Sequence, residues 1–360
     1  MRLERLTARG FRNLEAVERD VPAEGAALLG RNGQGKTNLL EAIYYPVLFR
    51  SLRGSADAEV VMFGGAGFHV AARLASDTAA LDIAATYQTA GKRKRIVVDG
   101  ADVARLADAV GQWAAVAFLP GDVALASGPA SERRHYLDRM LSLADRAYLA
   151  ALSRYRAALA QRNSALRQGR GDLVTMFDAP LASAGALIVE RRLRWLERAA
   201  PRFATELASL GEQGEGTVRY HGSAALADPA AWPDALERSR ARDLARGLTT
   251  AGPHRDDLVL EVGGRELRAY GSTGQQRSAA IALKLVELDT LAEARGIQPA
   301  LLLDDVFAEL DLERQRRLAS RLVQPDVRQV FVTAPRPDEL PEVVHLPRWR
   351  VEAGKVSDRW

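Results

Sequence analysis

One short segment of the chain, residues 30–37, has the residue types that hold a phosphate group. It reads Gly30-Arg31-Asn32-Gly33-Gln34-Gly35-Lys36-Thr37 and fits the pattern G-x-x-x-x-G-K-[ST]. Glycines let successive backbone N–H groups converge on a phosphate, the lysine adds a positive charge, and a threonine hydroxyl is a ligand for Mg²⁺. We therefore predict that this phosphate loop binds ATP through all of its residues, that Lys36 also acts in catalysis, and that Thr37 contacts Mg²⁺.

A pair of carboxylates follows an apolar run near the other end of the chain. Leu301-Leu302-Leu303 leads directly into Asp304 and Asp305. Because open α/β sheets place ligand chemistry at the carboxyl ends of their strands, this acidic pair is expected beside the phosphate loop. Asp304 is predicted to hold Mg²⁺. Either aspartate alone could instead cap the turn that follows.

The patterning around both motifs alternates between strands and helices. Alternating apolar residues and turn signals predict strands at 2–8, 17–21, 26–29, 68–74, 81–87, 95–98, 258–262, 300–303 and 329–333. Apolar residues at steps of three or four predict helices that begin near Gly35 and that cover residues 273–295 and 312–322. The predicted fold class is therefore α/β, with a phosphate-loop ATPase domain.

The middle of the chain has a different period. Apolar residues recur at helical steps from Leu137 to Leu159, which predicts one long helix, and a second stripe contains Leu181, Ile188 and Trp195. A helical hairpin packed on itself would explain these stripes. We predict a discontinuous ATPase domain, residues 1–125 and 251–360, with a helical arm, residues 126–250, inserted into it.

Charge is unevenly distributed along the chain. The whole chain has a formal net charge of +4, whereas residues 126–250 contain 19 arginines, no lysine and 14 acidic residues, a surplus of five positive charges. Because arginine can donate two hydrogen bonds to one phosphate, this region is a candidate for binding DNA, although scattered surface arginines would give the same count. The candidate DNA contacts are Arg191, Arg192, Arg194, Lys92, Arg93, Lys94 and Arg95.

Composition limits the other classes of protein. The 360 residues are 47% hydrophobic and include no cysteine, which excludes disulfides and thiolate metal sites and suits a reducing cytosol. The first residues mix charged with apolar side chains, so no signal peptide or membrane anchor is expected there. We predict a cytoplasmic protein with no membrane partner.

A polar turn precedes the helix predicted at 273–295. Its residues are Ser272-Thr273-Gly274-Gln275-Gln276, which could simply cap that helix. Their position between the phosphate loop and the acidic pair resembles the signature of ABC ATPases. In that class the signature completes the γ-phosphate site of the opposite subunit. The resemblance implies that Ser272 (also as a catalytic residue), Gly274 and Gln275 contact ATP across a homodimer.

Longer stretches resemble the RecF family, in the SMC-like branch of the ABC ATPases. The segment from Gly30 to Tyr44 follows the family pattern at the phosphate loop, and further family marks span nearly the whole chain. They are Phe11-Arg12-Asn13-Leu14, Arg133-Arg134 with Leu137-Asp138, Gln161-Arg162-Asn163, Gly252-Pro253-His254-Arg255-Asp256-Asp257, and residues 301–305. The segment 252–257 is the most discriminating mark.

The resemblance implies a function as well as a fold. It implies a protein of recombinational repair and replication-fork maintenance that dimerises on ATP at gapped or duplex DNA, with RecR as a partner in loading RecA. Weak, DNA-dependent ATP hydrolysis would follow, with Asp305 polarising the attacking water. Residues 308–311, Ala308-Glu309-Leu310-Asp311, resemble the D-loop of ABC ATPases, although Asp311 could equally cap the next helix.

Two departures and two alternatives accompany this interpretation. Pro46 is expected to end the first helix early, and the loop after it is less rich in glycine than in the family, with Arg53 keeping the family arginine. A small-molecule kinase would use the phosphate loop without needing Ser272 to Gln276. An ABC ATPase subunit with no role on DNA is the other alternative, although a transporter subunit would not normally contain an arginine-rich insertion.

Overall fold

The computed structural model describes residues 1–76, 79–308, 310–322 and 328–358. The chain forms two compact units. The first consists of Met1–Gly121 and Leu288–Trp360, and the second of Asp122–Glu287. Residues 251–287, which the sequence assigned to the ATPase domain, make their contacts within the second unit because strand pairing and buried ion pairs hold them there. The functional division stays a prediction.

Strands and helices are interspersed along the chain. The strands are β1 (Arg2–Phe11), β2 (Leu14–Asp20), β3 (Gly25–Leu29), β4 (Gly67–Ala75), β5 (Ala80–Gln88), β6 (Arg93–Val98), β7 (Ala101–Asp102), β8 (Ala115–Phe118), β9 (Gly216–His221), β10 (Asp257–Val262), β11 (Arg265–Glu266), β12 (Ala300–Leu303), β13 (Val330–Ala334), β14 (Arg348–Glu352) and β15 (Lys355–Ser357). The helices are α1 (Lys36–Leu48), α2 (Asp57–Val60), α3 (Leu106–Ala109), α4 (Ala124–Ser127), α5 (Ala130–Ala144), α6 (Arg146–Arg167), α7 (Gly171–Val174), α8 (Asp178–Ser209), α9 (Trp232–Arg246), α10 (Leu267–Tyr270), α11 (Thr273–Arg295) and α12 (Leu312–Leu322).

The first unit contains a mostly parallel sheet in the order β15-β14-β3-β13-β12-β8. Strands β14, β3, β13, β12 and β8 run parallel, and only β15 pairs antiparallel. The strands β3, β12 and β13 are buried along their whole length, as a sheet covered on both faces requires. Their carboxyl ends lead to the phosphate loop, the acidic pair and Thr333, so the topology places these three features at one edge.

A second sheet of this unit is antiparallel, in the order β2-β1-β4-β5-β6-β7. Its inner face contributes aromatic rings that pack edge to face with Tyr45 of α1, among them Phe11 and Phe68. Helix α1 also corrects a prediction, since it continues through Pro46 to Leu48. Pro46 lies in the final turn, where its missing N–H removes one helical hydrogen bond, and the N–H of Phe49 still donates to the Tyr45 carbonyl at 2.7 Å.

The second unit is less purely helical than predicted. The predicted long helix is two helices, because Asp145 ends α5 and its side chain caps α6 by accepting from the N–H of Ala147. The stripe of α8 is confirmed, with Leu181, Ile188 and Trp195 all buried. A three-stranded sheet, β11-β10-β9, completes the unit, and β9 was not predicted.

The segment Gly171–Ser209, which includes α8, is long and apolar enough by length and composition to cross a membrane. No other helix among the described residues meets that criterion, which core helices of soluble proteins also meet. The buried stripe of α8 lies within the second unit, as it does in a core helix.

Candidate nucleotide-binding site

The phosphate loop connects β3 to α1, and two of its glycines allow close approaches. A Cβ atom on Gly30 would lie 2.1 Å from the carbonyl oxygen of Val351 on β14. Gly35 has a φ of +110°, and a Cβ there would meet the side-chain amide of Asn13 at 2.7 Å. Larger residues would therefore displace the loop from both of its neighbours.

Gln34 anchors the loop from the side of the β14–β15 turn. Its backbone carbonyl accepts the N–H of Gly354 at 2.9 Å, and its side-chain oxygen accepts the N–H of Ala353 at 2.8 Å. Asn13, in the β1–β2 turn, also donates to the Gln34 carbonyl and accepts from the side chain of Asn38. The structure thus uses the Gln34 side chain to fix the loop, a role that the motif alone did not predict.

Lys36 begins α1 and turns back over the loop. Its ammonium group donates to the carbonyl of Gly30 at 2.7 Å and lies 3.4 Å from the side-chain oxygen of Asn32. Lys36 is buried, and its hydrogen bonds to described residues go to neutral oxygen atoms of the loop. A buried ammonium group with such partners gains most from an anion, so the loop is electrostatically suited to phosphate.

Thr37, the acidic pair and Thr333 form one hydrogen-bonded cluster. The Thr37 hydroxyl lies 3.0 and 2.9 Å from the two carboxylate oxygens of Asp304. The Thr333 hydroxyl lies 3.0 Å from an oxygen of both Asp304 and Asp305 and accepts the N–H of Asp305 at 2.8 Å. Thr333 was missed at the sequence level; a hydroxyl residue at the carboxyl end of an apolar strand was the available signal.

This cluster has the chemistry that Mg²⁺ requires. Burial raises the pKa of Asp304, opposed by its hydrogen bonds from Thr37 and Thr333, and the nearby Asp305 raises it further. Hydroxyl and carboxylate oxygens are preferred ligands of Mg²⁺, which would supply the positive charge that favours two adjacent carboxylates. Asp305 has a φ of +46°, a conformation that aspartate tolerates better than most residues and that occurs at functional sites.

The signature turn belongs to the second unit. The N–H of Ser272 donates to the Gln275 side chain at 3.1 Å, and the N–H of Gln275 donates to the Ser272 hydroxyl at 3.2 Å. These reciprocal bonds cap α11. The turn therefore caps the helix, as the simpler alternative proposed. The predicted contacts of Ser272, Gly274 and Gln275 with ATP stay predictions.

The segment that resembles a D-loop also contains a helix cap. The side chain of Asp311 accepts the N–H of Arg314 at 2.9 Å, so Asp311 caps α12 as the simpler alternative required. Glu309 lies outside the described residues.

The basic segment 92–95 divides into two pairs. Lys94 is half-buried, donates to Asp57 at 2.9 Å and to the carbonyl of Phe49, and lies over the ring of Tyr45. Arg95 is exposed but pairs with Asp102 at 2.6 Å. Lys92 and Arg93 are exposed at the turn before β6. Lys94 therefore makes internal contacts of the first unit, and its assignment to DNA stays a prediction.

The three arginines predicted on α8 differ sharply in exposure. Arg192 is buried, donates to Asp138 at 2.8 Å and to the Pro253 carbonyl at 2.8 Å, and contacts the Tyr148 hydroxyl. Arg191 is partly buried and pairs with Asp145 at 2.9 Å. Arg194 is exposed and pairs with Glu190. The prediction of a DNA contact was wrong for Arg192, because helical periodicity turns it into the core.

The family segment at residues 252–257 makes several contacts within the second unit. His254 bonds to the Tyr155 hydroxyl at 2.6 Å and the Thr249 carbonyl at 2.9 Å, and its pKa is lowered by burial. The Asp256 carboxylate accepts from the Tyr220 hydroxyl and the N–H of Ser223, and Asp257 pairs with Arg133 at 2.7 Å. The two aspartates thus bind other residues of the second unit.

A buried carboxylate behind the phosphate loop was also missed. Glu41 of α1 accepts from Arg12 at 2.9 Å and from Arg53 and Ser51. Burial raises the pKa of Glu41, but hydrogen bonds from Arg12, Ser51 and Arg53 outweigh it and the net pKa is lowered. Arg53 also donates to Asn38 at 2.6 Å. The unusual loop after α1 is therefore tied to the helix that carries the phosphate loop.

The fold and the site place the chain in a class of protein. Residues 2–357 match the family model described as the RecF/RecN/SMC N terminal domain. An SMC head bound to the C-winged helix domain of ScpA has the same fold, with a TM-score of 0.56 at 15% identity over 99% of this chain and 96% of that one. The chain is an ABC-type α/β protein of this class, which confirms the predicted fold class.

Similarity to individual relatives narrows the class. The DNA replication and repair protein RecF of Myxococcus xanthus is 38% identical over 92% of this chain and 90% of its own length. A structure of the recombination mediator protein RecF with ATP aligns with a TM-score of 0.90 at 31% identity, covering 99% of this chain and 96% of that one. The chain belongs to the RecF family.

Proposed function

We propose that this protein binds Mg-ATP at the phosphate loop and serves DNA replication and repair. The observation that carries the proposal is the convergence of Lys36, Thr37 and Asp304 at the carboxyl ends of β3 and β12. The relatives are named for DNA replication and repair, and a similar structure is named for ATP. An ammonium group, a hydroxyl and a carboxylate at one edge of the sheet are the groups that binding of ATP with Mg²⁺ requires.

Each residue of the site has a defined task in this proposal. Backbone N–H groups of the loop and the N-terminus of α1 bind phosphate oxygens, and Lys36 neutralises their charge. Thr37 and Asp304 would hold Mg²⁺, which would offset negative charge on the phosphates. Thr333 positions both members of the acidic pair, and Asp305 orients the attacking water. Hydrolysis is slow and depends on DNA.

Assembly completes the proposal. Two ATP-bound copies form a homodimer in which Ser272, Gly274 and Gln275 of one copy reach the nucleotide of the other. The dimer binds gapped or duplex DNA in the cytoplasm and assists RecA loading with RecR. The exposed cations Arg194 and Arg93 are the first candidates for phosphate contacts.

The test is DNA binding by fluorescence anisotropy with ATP, with ADP and without nucleotide, over a series of salt concentrations. Light scattering of the same samples reports mass. We expect ATP alone to produce the dimer and salt-sensitive DNA binding. If neither responds to ATP while a small molecule is phosphorylated, the kinase alternative replaces this proposal.

A further inference from the structure

One side chain is exposed in a way that packing does not explain. Phe63 lies at the tip of the turn between α2 and β4 and is 104% exposed, the largest value among the large hydrophobic residues that the structure describes. Burial of a phenylalanine ring stabilises a folded protein, and a fully exposed ring contributes none of this stabilisation. We call residues 62–66, Met62-Phe63-Gly64-Gly65-Ala66, the aromatic tip.

Backbone hydrogen bonds hold the aromatic tip to the antiparallel sheet. The N–H of Met62 donates to the Gly10 carbonyl at 2.8 Å, and the N–H of Gly65 closes a turn on the Met62 carbonyl at 2.8 Å. Both the N–H and the hydroxyl of Thr89 donate to the Ala66 carbonyl at 2.9 Å. The ring is therefore presented on a fixed turn.

The turn that holds the tip is positively charged. Residues 89–93, Thr89-Ala90-Gly91-Lys92-Arg93, form this basic turn between β5 and β6. Gln88 pairs with both Gly67 and Arg93, which places Arg93 two strand spacings, about 10 Å, from the start of β4. Neither the tip nor the turn contains an acidic residue. Within the described part of the chain, Lys92 and Arg93 form no ion pair.

We propose that the aromatic tip stacks on an unpaired base of DNA while Lys92 and Arg93 contact the adjacent phosphates. An exposed ring on a turn that is hydrogen-bonded to a basic turn is a combination that suits single-stranded nucleic acid, since every base offers a face for stacking and every nucleotide a negative charge. Charge complementarity favours this occupant over an apolar protein surface. The inference rests on the proposed function and specifies its substrate as DNA with a single-stranded segment.

The experiment compares two labelled DNAs in the presence of ATP, a duplex with a single-stranded gap and the same duplex fully paired. Phe63→Ala is expected to weaken binding of the gapped DNA about tenfold and to leave the paired duplex within about twofold. Phe63→Trp restores gap binding because it keeps the stacking surface. Lys92→Ala and Arg93→Ala are each expected to weaken binding of both DNAs. Each also lowers the slope of log affinity against log salt concentration by about one, since one phosphate contact is lost.

Controls separate this inference from the proposed function. Val343→Ala removes another exposed apolar side chain of the first unit and leaves both affinities unchanged. With 5-iodouracil in the gap, photocrosslinking is expected at Phe63. If the parent protein binds DNA but Phe63→Ala keeps the same preference for the gap, the inference fails alone; if the parent binds neither DNA, the proposed function fails. A change in mass by light scattering without a change in gap preference would assign Phe63 to a protein contact and overturn the inference.

Discussion

The phosphate loop and the arginine-rich second unit are both dense in charge, but their polar groups are used differently. At the phosphate loop, the hydrogen bonds of Lys36 to described residues go to neutral oxygen atoms of the loop itself. In the second unit, Arg192 and Arg162 are buried against carboxylates, and Arg133 forms a two-point ion pair with Asp257. The positive charge of the phosphate loop can therefore bind a ligand, whereas many arginines of the second unit are already paired with carboxylates of that unit.

This difference teaches how to interpret an arginine surplus. A charge count treats every guanidinium group alike, whereas burial separates those that bind phosphate from those that stabilise the unit. Arg162 donates to Asp178 at 2.9 Å, to Asp243 at 2.8 Å and to Thr249 at 2.9 Å, so it joins three segments of the second unit. The surplus overstated the surface available to DNA.

The largest expected effect concerns a buried arginine. Arg192→Ala leaves Asp138 with fewer partners and is expected to lower the free energy of unfolding by about 3 kcal/mol, while ATP affinity is unchanged. Urea unfolding measures it. Arg194→Ala, on an exposed position of the same helix, is the matched control and should cost less than about 0.5 kcal/mol. Equal losses in the two variants would contradict the assignment.

The opposite pattern is expected at the phosphate loop. Lys36→Ala should weaken ATP binding about 100-fold, because a charged contact to the phosphates is lost, with little change in unfolding free energy. Titration with a fluorescent ATP analogue measures the affinity. Lys355→Ala, an exposed lysine in the same unit, provides the control. ATP binding that survives Lys36→Ala would refute the site.

A smaller effect is expected from the residue that positions the acidic pair. Thr333→Val keeps the shape of β13 but removes the hydroxyl that bonds to Asp304 and Asp305. We expect ATP hydrolysis to slow about tenfold while the affinity for ATP without Mg²⁺ changes little. Steady-state phosphate release over a series of Mg²⁺ concentrations checks this. Thr7→Val on β1 should behave like the parent, and an unchanged rate in Thr333→Val would remove Thr333 from the site.

The smallest effect is a pH dependence of the second unit. The Thr249 carbonyl can only accept, so the Nε2–H of His254 donates to it and Nδ1 accepts from Tyr155, which describes a neutral ring. Because burial lowers its pKa in the fold, the unfolded chain binds the proton first, and stability falls as pH drops below about 6.5. Urea midpoints against pH measure the slope. His254→Asn should flatten it, whereas the exposed His221→Asn should not.

Much of the first unit followed from sequence because local patterns determine it. The phosphate loop, the apolar strand before Asp304 and helix α12 each have a period or motif that is complete within a short segment. The strands that were predicted lie within a few residues of their observed bounds for the same reason, whereas β7, β8, β14 and β15 of this unit were missed.

The remaining features depend on contacts between distant segments. Thr333 joins the site only because β13 lies between β3 and β12. Arg192 and Glu41 have charged side chains whose burial is decided by partners such as Asp138 and Arg12. The end of α5 at Asp145 interrupts an apolar period that continues in sequence. Short patterns gave a signal for Thr333 and for Arg192, but the partners of these side chains lie on segments that are distant in the sequence.

The most direct test of the central claim is calorimetric titration of ATP, with and without Mg²⁺, into the parent protein and Asp304→Asn. We predict that Mg²⁺ strengthens ATP binding by the parent and that this gain is lost in Asp304→Asn, while binding of free ATP persists through Lys36. An equal gain from Mg²⁺ in both proteins would contradict the claim that Thr37 and Asp304 hold the metal of a nucleotide site.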